Sequence, residues 1–302
     1  METINQSADK NVINTGTSHS YYKHSGAFSP LAPVIVLGSG IIGAIILSFI
    51  YSYATYYIPF VYLNILLTIG LGLGLGAIVG IAGMHSKVRN NALMALFGII
   101  IGLVAEYGQW VFWILAESKQ KLFLLNPADL FVIIQYLAVD GVWSIRSFTP
   151  TGNILYSIWF VEAAIIIVTT TLMSVFFLNT SPFCEKCNEW ADKKETLFPL
   201  GFPINSEKLK TELEKGNFSA LTLLGTAKPS SAQFTTVELQ YCPHCNDLYL
   251  ISVTSSTMTV NSKGEQKEDK NEIVQNLIID QRVYNSLKNW NSTLLPLNPI
   301  QS

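Results

Sequence analysis

The chain has 302 residues, of which 49% are hydrophobic and 13% are charged, with a formal net charge of −2. This composition is too apolar for an ordinary soluble protein and too polar for one that lies in a membrane throughout. Of the 40 charged residues, 14 lie in residues 1–183 and 26 in residues 184–302. We therefore expect a membrane half followed by a soluble half. No basic block stands out, so a nucleic-acid partner is not expected.

Residues 1–30 are rich in Ser, Thr, Asn, Gly and His, a composition that predicts a flexible polar tail. The run from His24 to Ser86 then contains no Asp, Glu, Lys or Arg. Two apolar blocks within it, residues 33–58 and 60–84, each exceed the roughly 20 residues that cross a bilayer. They predict a transmembrane helical hairpin that breaks near Pro59.

The first block contains a pattern that also occurs in dinucleotide-binding folds. Gly38, Gly40 and Gly43 follow a β-branched run with the spacing of the GxGxxG fingerprint. A nucleotide site of this kind needs an acidic residue about 20 positions further on, to hold the ribose hydroxyls. The next acidic residue is Glu106. We therefore interpret the small residues as a surface for close helix packing.

The second block carries a ridge of small residues. Gly72, Gly76 and Gly80 fall on one helical face, which predicts close contact between two helix backbones. This contact could lie within one chain or between two copies in a homo-oligomer. A solute path along the ridge is the alternative function.

Two further spans are predicted at residues 92–116 and 154–178, which completes a four-helix transmembrane domain over residues 31–180. The loop between them contains a helix start, with Asn126 as N-cap and Pro127 at the first helical position. The apolar run that follows, residues 130–139, is too short to span. It predicts an interfacial or re-entrant helix.

Two carboxylates interrupt the last two spans. Glu106 and Glu162 lie at similar predicted depths, so antiparallel neighbours would bring them together. Tyr107, Gln109 and Asn64 are candidates to join this intramembrane polar site. An acid in lipid is a functional hypothesis by default, as a proton or cation site. The structural alternative is a pair of protonated side chains that hydrogen-bond between helices.

The distribution of basic residues predicts the orientation in the membrane, because cytosolic loops carry an excess of Lys and Arg. Four spans put both termini on one side of the bilayer. That side carries Lys10, Lys23, Lys87, Arg89, Lys186, Lys193 and Lys194. The other side carries Lys119, Lys121 and Arg146. We therefore expect both termini and all the cysteines in the cytosol.

The four cysteines form two CxxC pairs, Cys184 with Cys187 and Cys242 with Cys245. The two pairs resemble the knuckles of a zinc ribbon, and this resemblance implies a structural Zn²⁺ held by four thiolates. The 54 residues between the knuckles exceed the usual 15–20, so an insertion must loop out. Because four cysteines are available, His244 inside the second knuckle is not expected to be a metal ligand.

A redox function is the alternative for the same cysteines. The CPHC sequence at residues 242–245 resembles the active-site motif of thioredoxin-fold thiol oxidants, in which the motif opens a helix. Here a β-rich run follows it. The second CxxC pair and the expected cytosolic location also favour metal binding.

The rest of the soluble half, residues 181–302, predicts a small α+β domain. Strands are expected at residues 235–240 and 248–253, on either side of the second knuckle, and a further strand at 272–280. Residues 261–270 read as a polar loop. Helices are expected at residues 207–215, with Ser206 as N-cap, and at 281–290.

The overall layout resembles uncharacterised bacterial polytopic membrane proteins that carry a C-terminal zinc ribbon. The resemblance implies a multi-pass protein of the bacterial inner membrane. We expect an interaction, scaffold or regulatory protein whose cytosolic domain binds a protein partner. The alternative is a small ion- or proton-coupled transporter or channel that uses Glu106 and Glu162. Because no nucleophile or metal–water constellation is visible, an enzyme is not expected.

Overall fold

The computed structural model describes residues 19–58, 60–144, 148–228, 231–245, 247–260 and 265–294. The predicted break at Pro59, residues 1–18 of the predicted tail, Lys10 and Arg146 lie outside these ranges. The chain forms two compact units. The helical unit comprises His24–Thr180, and the sheet unit joins the chain before His24 to the chain after Thr180.

The helical unit contains four helices that are long and apolar enough to cross a membrane, as predicted. A fifth, shorter helix, α4, lies between the third and fourth of these. In chain order the helices are α1 (Ala32–Tyr57), α2 (Val61–His85), α3 (Asn91–Glu117), α4 (Pro127–Asp140) and α5 (Gly152–Leu178).

The short helix α4 begins where the sequence predicts. Asn126 Oδ1 accepts a hydrogen bond of 3.0 Å from the backbone N–H of Ala128, and Pro127 occupies the first turn. The helix ends at Gly141, whose φ of 79° favours glycine. Leu130 packs against α3, whereas Phe131 on another face is exposed. This division of apolar surface is typical of an interfacial helix.

Hydrogen bonds at one end of the helical unit join three parts of the chain. Gly26 N–H donates to Arg89 O (3.1 Å), and Arg89 N–H donates to Ala27 O (2.8 Å). Asn91 Nδ2 donates to Asn179 Oδ1 (3.4 Å). The segment before α1, the α2–α3 connection and the end of α5 therefore share one end of the bundle. The long helices run alternately up and down, which gives an even number of crossings.

The glycine ridge of α2 packs against α5 of the same chain. A Cβ atom added to Gly76 would lie 2.5 Å from Met173 Cβ and 2.7 Å from the carbonyl oxygen of Thr170. One added to Gly80 would lie 2.6 Å from Phe177 Cβ. Since these distances are shorter than van der Waals contact, only glycine permits this approach of the two backbones.

The glycines of the GxGxxG pattern lie inside the continuous helix α1, with no strand before them and no turn between them. A Cβ atom at Gly40 would lie 2.7 Å from Ile101 on α3, and one at Gly43 would lie 2.7 Å from Ile78 on α2. These residues therefore serve helix packing, and the strand-and-turn context of a dinucleotide site is missing from this described stretch.

The sheet unit is built on a four-stranded antiparallel sheet in the order β3-β4-β5-β6, with a separate β1–β2 hairpin. The strands are β1 (Phe183–Cys184), β2 (Glu189–Trp190), β3 (Lys193–Thr196), β4 (Gln233–Tyr241), β5 (Tyr249–Val260) and β6 (Gln266–Ile278). The helices are α6 (Ser206–Glu214), α7 (Ser219–Thr222) and α8 (Gln281–Leu294).

The core of the sheet unit follows the predicted periodicities. Val237 and Leu239 alternate with less buried residues along β4, as expected for a strand with one buried face. Leu209 and Leu213, one helical turn apart on α6, pack into the same core. Leu287 of α8 joins them. The single cluster accounts for the α+β architecture of this unit.

Two local predictions need correction. Asn205, not Ser206, caps α6, because Asn205 keeps an extended backbone and its Oδ1 accepts from Lys208 N–H at 2.9 Å. The predicted loop at 261–270 is also too long, since β6 already begins at Gln266 and pairs with β5 through Lys267 and Thr259. The charged side chains that suggested a loop lie exposed on this strand. Residues 261–264 lie outside the described ranges.

Part of the predicted flexible tail is bonded to the sheet unit. Tyr22 N–H donates to Asn276 O at 2.8 Å, and Ile278 N–H donates to Ser20 O at 2.9 Å. Tyr21 forms a β-bridge with Leu277. Residues 19–22 thus lie along β6, because the otherwise unpaired backbone groups of a sheet edge accept another extended segment.

We predict that Gly76→Ala destabilises the helical unit by about 1–3 kcal/mol, the usual cost of overpacking. The added methyl group would clash with Met173 and with the carbonyl oxygen of Thr170. Gly70→Ala is the matched control, because no atom lies within 4 Å of its added Cβ. Thermal unfolding in detergent, followed by circular dichroism, measures the difference. Equal melting temperatures for the two variants would contradict a tight α2–α5 seam.

Candidate metal centre and intramembrane polar cluster

The four cysteines come together in the sheet unit. Cys184 ends β1 and Cys187 lies in the turn of the β1–β2 hairpin, whereas Cys242 and Cys245 lie in the connection between β4 and β5. The four Sγ atoms all lie within 4.8 Å of one another. The two CxxC pairs, far apart in sequence, therefore form one cluster that could hold a metal ion.

Both turns are held by local backbone structure. In the first, Asn188 adopts a positive φ of 53°, a conformation that asparagine tolerates better than most residues. In the second, Cys242 N–H donates to Leu248 O at 3.1 Å, which closes the connection between the two strands. Cys184 and Cys242 are buried, and the buried Ala191 packs beside them. The pair nearer the surface, Cys187 and Cys245, is partly exposed.

The sulfur positions fit a tetrahedral ion better than a disulfide. Metal–thiolate bonds of about 2.3 Å in a tetrahedron place the sulfurs about 3.8 Å apart. Cys184 Sγ and Cys245 Sγ are 3.4 Å apart, which is too long for the S–S bond of about 2.05 Å. All four cysteines are free. Four soft thiolates in this arrangement suit zinc or an iron–sulfur cluster.

The thiols differ in their readiness to ionise. Burial raises the pKa of Cys184, and a hydrogen bond with Cys245 raises the pKa of Cys187. Against the effect of burial, the backbone N–H of Asp247 and the neighbouring thiols lower the pKa of Cys245. Since a metal binds thiolates, protons compete for the same sulfurs and metal binding weakens as the pH falls.

His244 lies outside the four-thiol cluster, although it sits between two ligands in sequence. Its Nε2 atom is 3.1 Å from Glu189 Oε2, and both side chains are largely exposed. A second exposed pair, Lys186 with Asp247 at 2.7 Å, lies on the two turns in the same way. These ion pairs connect the two turns, but exposed pairs of this kind contribute little stability.

The described residues that follow the CPHC sequence do not form the helix that a thiol oxidant needs. The CPHC sequence is followed by β5, which begins at Tyr249. In thioredoxin-like folds the motif stands at a helix N-terminus, which lowers the pKa of the first thiol. No helix begins at the described residues between Cys242 and Tyr249. The redox alternative therefore loses the structural context that it requires.

The hairpin with the first cysteine pair also contacts the N-terminal segment. Phe183 N–H donates to the hydroxyl oxygen of Tyr22 at 2.8 Å, and that hydroxyl donates to Phe183 O at 3.2 Å. Phe183 is buried and precedes Cys184 directly. Tyr22, which precedes the helical unit in sequence, therefore hydrogen-bonds to Phe183, which follows it, next to the four-thiol cluster.

A second group of polar side chains lies inside the helical unit. The Tyr51 hydroxyl on α1 hydrogen-bonds to Glu162 Oε1 on α5 and lies 2.9 Å from Thr68 Oγ1 on α2. Thr68 in turn donates to the backbone carbonyl of Asn64 at 2.8 Å. Tyr51 and Thr68 are almost completely buried. Three helices therefore meet through one continuous run of polar contacts.

Glu106 lies in a different setting on α3. Its Oε1 atom accepts hydrogen bonds from Gln109 Nε2 (3.3 Å) and Trp110 Nε1 (3.0 Å), both on the same helix. Its Oε2 atom is buried and has no hydrogen-bond partner among the residues that the structure describes. Nearby, Ser52 on α1 donates to Gln109 O at 2.8 Å, so polar contacts also join α1 to α3.

The sequence-based set of polar residues overlaps only in part with this arrangement. Gln109 contacts Glu106, but Tyr107 points elsewhere and hydrogen-bonds to the backbone carbonyl of Leu125. The side-chain oxygen of Asn64 is buried and finds no hydrogen-bond partner within the described part of the chain. Sequence reasoning missed Tyr51 and Thr68. Their polarity within apolar helices was a signal, but it did not show which acid they would contact.

Comparison of the chain with protein-family models, with curated proteins and with solved structures found no match.

We predict that the chain binds about one metal ion and that Cys242→Ser removes most of it, because three thiolates leave a tetrahedral ion incompletely held. Elemental analysis of the purified full chain measures the metal-to-protein ratio. His244→Ala is the matched control within the same CxxC and should keep the metal, since His244 contacts Glu189 instead. A metal-free wild-type protein with a titratable disulfide would contradict the metal centre and restore the redox alternative.

Proposed function

We propose that the chain is an integral membrane protein whose C-terminal domain is a zinc-ribbon-like module with a structural Zn²⁺, acting as an interaction, scaffold or regulatory protein. The four-thiol cluster is the observation that carries this proposal. Four cysteine sulfurs within 4.8 Å of one another are able to supply all four ligands of a closed tetrahedral site, which is the arrangement of structural zinc sites. A catalytic zinc site would keep a position open for water or substrate.

The insertion between the two CxxC pairs supports a zinc-ribbon-like fold that is enlarged by additional strands and helices. Its 54 residues contain β2, β3, α6, α7 and β4, and they contribute part of the hydrophobic core of the sheet unit, together with β5, β6 and α8. Zinc would therefore fasten one end of a domain that has its own core. Zinc is favoured over an iron–sulfur cluster by the ribbon-like spacing of the knuckles, and the elemental analysis described above identifies the metal.

We further propose that both termini and the sheet unit are cytosolic in a bacterial inner membrane. The excess of Lys and Arg on the terminal side supports this orientation. The hydrogen bonds between Tyr22 and Phe183 agree with an even number of crossings, because they join residues before the first span and after the last. Four free cysteines also suit a reducing compartment.

Exposed apolar side chains give the sheet unit a candidate surface for a protein partner. Ile204 is fully exposed, Leu223 is 81% exposed and Phe202 is 38% exposed. The two chain segments that carry them are paired, since Gly201 N–H donates to Gly225 O at 3.0 Å. Exposed apolar groups of this kind mark interaction sites more often than isolated surface residues do.

We predict that Ile204→Asp abolishes binding of the protein partner and leaves the metal content unchanged. A charge placed at the centre of an apolar contact is desolvated without a partner, which costs more than about 1 kcal/mol of binding energy. Crosslinking in cells followed by purification of the full chain measures partner recovery. Val260→Asp is the matched control, an exposed apolar residue at the far end of β5. Unchanged crosslinking of Ile204→Asp, or equal loss in both variants, would contradict this surface.

The intramembrane polar cluster favours a second candidate function, a small proton- or cation-coupled transporter or channel. Acids within membrane helices are costly and commonly mark ion pathways. Glu106 has a buried oxygen to which no described residue donates a hydrogen bond, so that atom is able to accept a proton or a cation. The four long helices contain no Lys or Arg that would neutralise either carboxylate.

We predict that, if the chain transports protons or cations, Glu106→Gln lowers flux through reconstituted liposomes to the rate of protein-free vesicles. The amide keeps the shape of the side chain but cannot ionise. Glu117→Gln is the control, because Glu117 lies exposed at the end of the same helix. Full retention of flux in Glu106→Gln, or no flux in the wild type, would remove this candidate and leave the interaction function alone.

A further inference from the structure

The two acids of the helical unit face different hydrogen-bonding groups. Glu106 accepts from two N–H donors, which an ionised carboxylate does well. Glu162 faces the Tyr51 hydroxyl, which is able both to donate and to accept. Pairs of acids in unequal surroundings commonly divide their roles, one staying ionised and the other holding a proton.

Three successive contacts run from Glu162 across the bundle. They join Glu162 Oε1 to the Tyr51 hydroxyl, that hydroxyl to Thr68 Oγ1 at 2.9 Å, and Thr68 Oγ1 to the carbonyl oxygen of Asn64 at 2.8 Å. Tyr51 is 4% exposed and Thr68 is 3% exposed. Because both hydroxyls are buried, each contact needs a proton supplied from within the run.

The number of hydroxyl protons available to these three contacts decides whether Glu162 must be protonated. The Tyr51 and Thr68 hydroxyls carry one proton each, and the carbonyl oxygen of Asn64 carries none. Each hydrogen bond needs one donated proton, so two protons are too few for three contacts. The remaining atom that is able to carry a third proton is the Glu162 carboxyl oxygen. When it does so, Glu162 donates to Tyr51, Tyr51 donates to Thr68, and Thr68 donates to Asn64 O.

We propose that Glu162 is a proton-binding site, and that its proton completes a hydrogen-bonded run linking α5, α1 and α2. When Glu162 is ionised, Tyr51 donates to the carboxylate, and Thr68 has one proton for two acceptors. Either the Tyr51–Thr68 contact or the Thr68–Asn64 contact then has no proton. Loss of the proton therefore loosens the polar link between α1 and α2, or the internal bond of α2 next to it.

Few ionisable groups face this site within the described residues. The titratable partners that interact with it electrostatically are Tyr51 from α1 and Glu106 from α3. From α2 the contact is the neutral Thr68, and this helix contains no Asp, Glu, Lys or Arg. The four long helices contain no Lys or Arg that would stabilise an ionised Glu162.

Infrared difference spectroscopy on the full chain in lipid nanodiscs tests this proposal. We expect the carbonyl band of one protonated carboxyl group at neutral pH, and labelling with carbon-13 glutamate should shift it. The band should disappear in Glu162→Gln and persist in Glu106→Gln. Tyr51→Phe should shift the band, because the carboxyl group loses its hydrogen-bond acceptor. Thr68→Val should shift it less, and Thr68→Ser should restore the wild-type position.

Two outcomes would overturn the proposal. One is the absence of any protonated glutamate band in the labelled wild-type protein, a result that does not depend on the folding of a variant. The other is a band that disappears in Glu106→Gln and persists in Glu162→Gln. The inference shares Glu162 with the transport candidate but does not require flux. If the carboxyl band is present and no flux is measured, only the transport candidate is contradicted. If flux is measured and the band is absent, only this inference is contradicted.

Discussion

Lipid tails are as apolar as leucine side chains, so apolar helices gain little by exchanging lipid for one another. The helical unit therefore depends on close backbone approach and on polar contacts between helices. Gly76 and Gly80 allow α2 and α5 to meet at distances that a Cβ atom would forbid. Glu162, which Tyr51 contacts, lies on α5. This buried acid therefore belongs to the closely packed α2–α5 pair.

The sheet unit has a different source of stability. Its core contains leucine, isoleucine and valine side chains from β4, β5, β6, α6 and α8, and burial of this surface in water provides the driving force. The four thiols add a link that burial does not supply. A metal ion held by them would fasten the β1–β2 hairpin, which pairs with no described strand of the main sheet, to the β4–β5 connection. Among the described residues the hairpin is also held by the buried Phe183 and by Gln240, whose Nε2 donates to Ala191 O at 2.5 Å.

The contact between Tyr22 and Phe183 joins the segment before the first long helix to the hairpin that carries the first cysteine pair. One hydroxyl both donates to and accepts from the backbone of the residue before Cys184. Metal binding would hold the hairpin in the position that this contact requires, while the other side of Tyr22 is bonded to β6. The four-thiol cluster is thus adjacent to Tyr22 and Phe183, which in sequence lie before the first and after the last of the four long helices.

Local chemistry made much of the chain predictable. Four long apolar runs with at most one acidic residue each predict four spans, because every backbone polar group in lipid must be bonded within its own helix. Asn126 and Pro127 predict the start of α4 from short-range capping alone. Two of the errors arose where long-range pairing prevailed over composition. The charged residues from Gln266 onward form a strand because β5 offers backbone partners, and residues 19–22 are ordered along β6 for the same reason.

By itself the sequence determined the number of spans, the position of the cysteine pairs and the presence of two acids within apolar helices, because each depends on the type and spacing of nearby residues. The tertiary structure alone decided which groups meet. It joined the four sulfurs across 54 intervening residues, turned Tyr107 away to Leu125, and brought Tyr51 to Glu162. Such contacts depend on the rotation and depth of whole helices and on the register of a sheet, and no local pattern encodes these quantities.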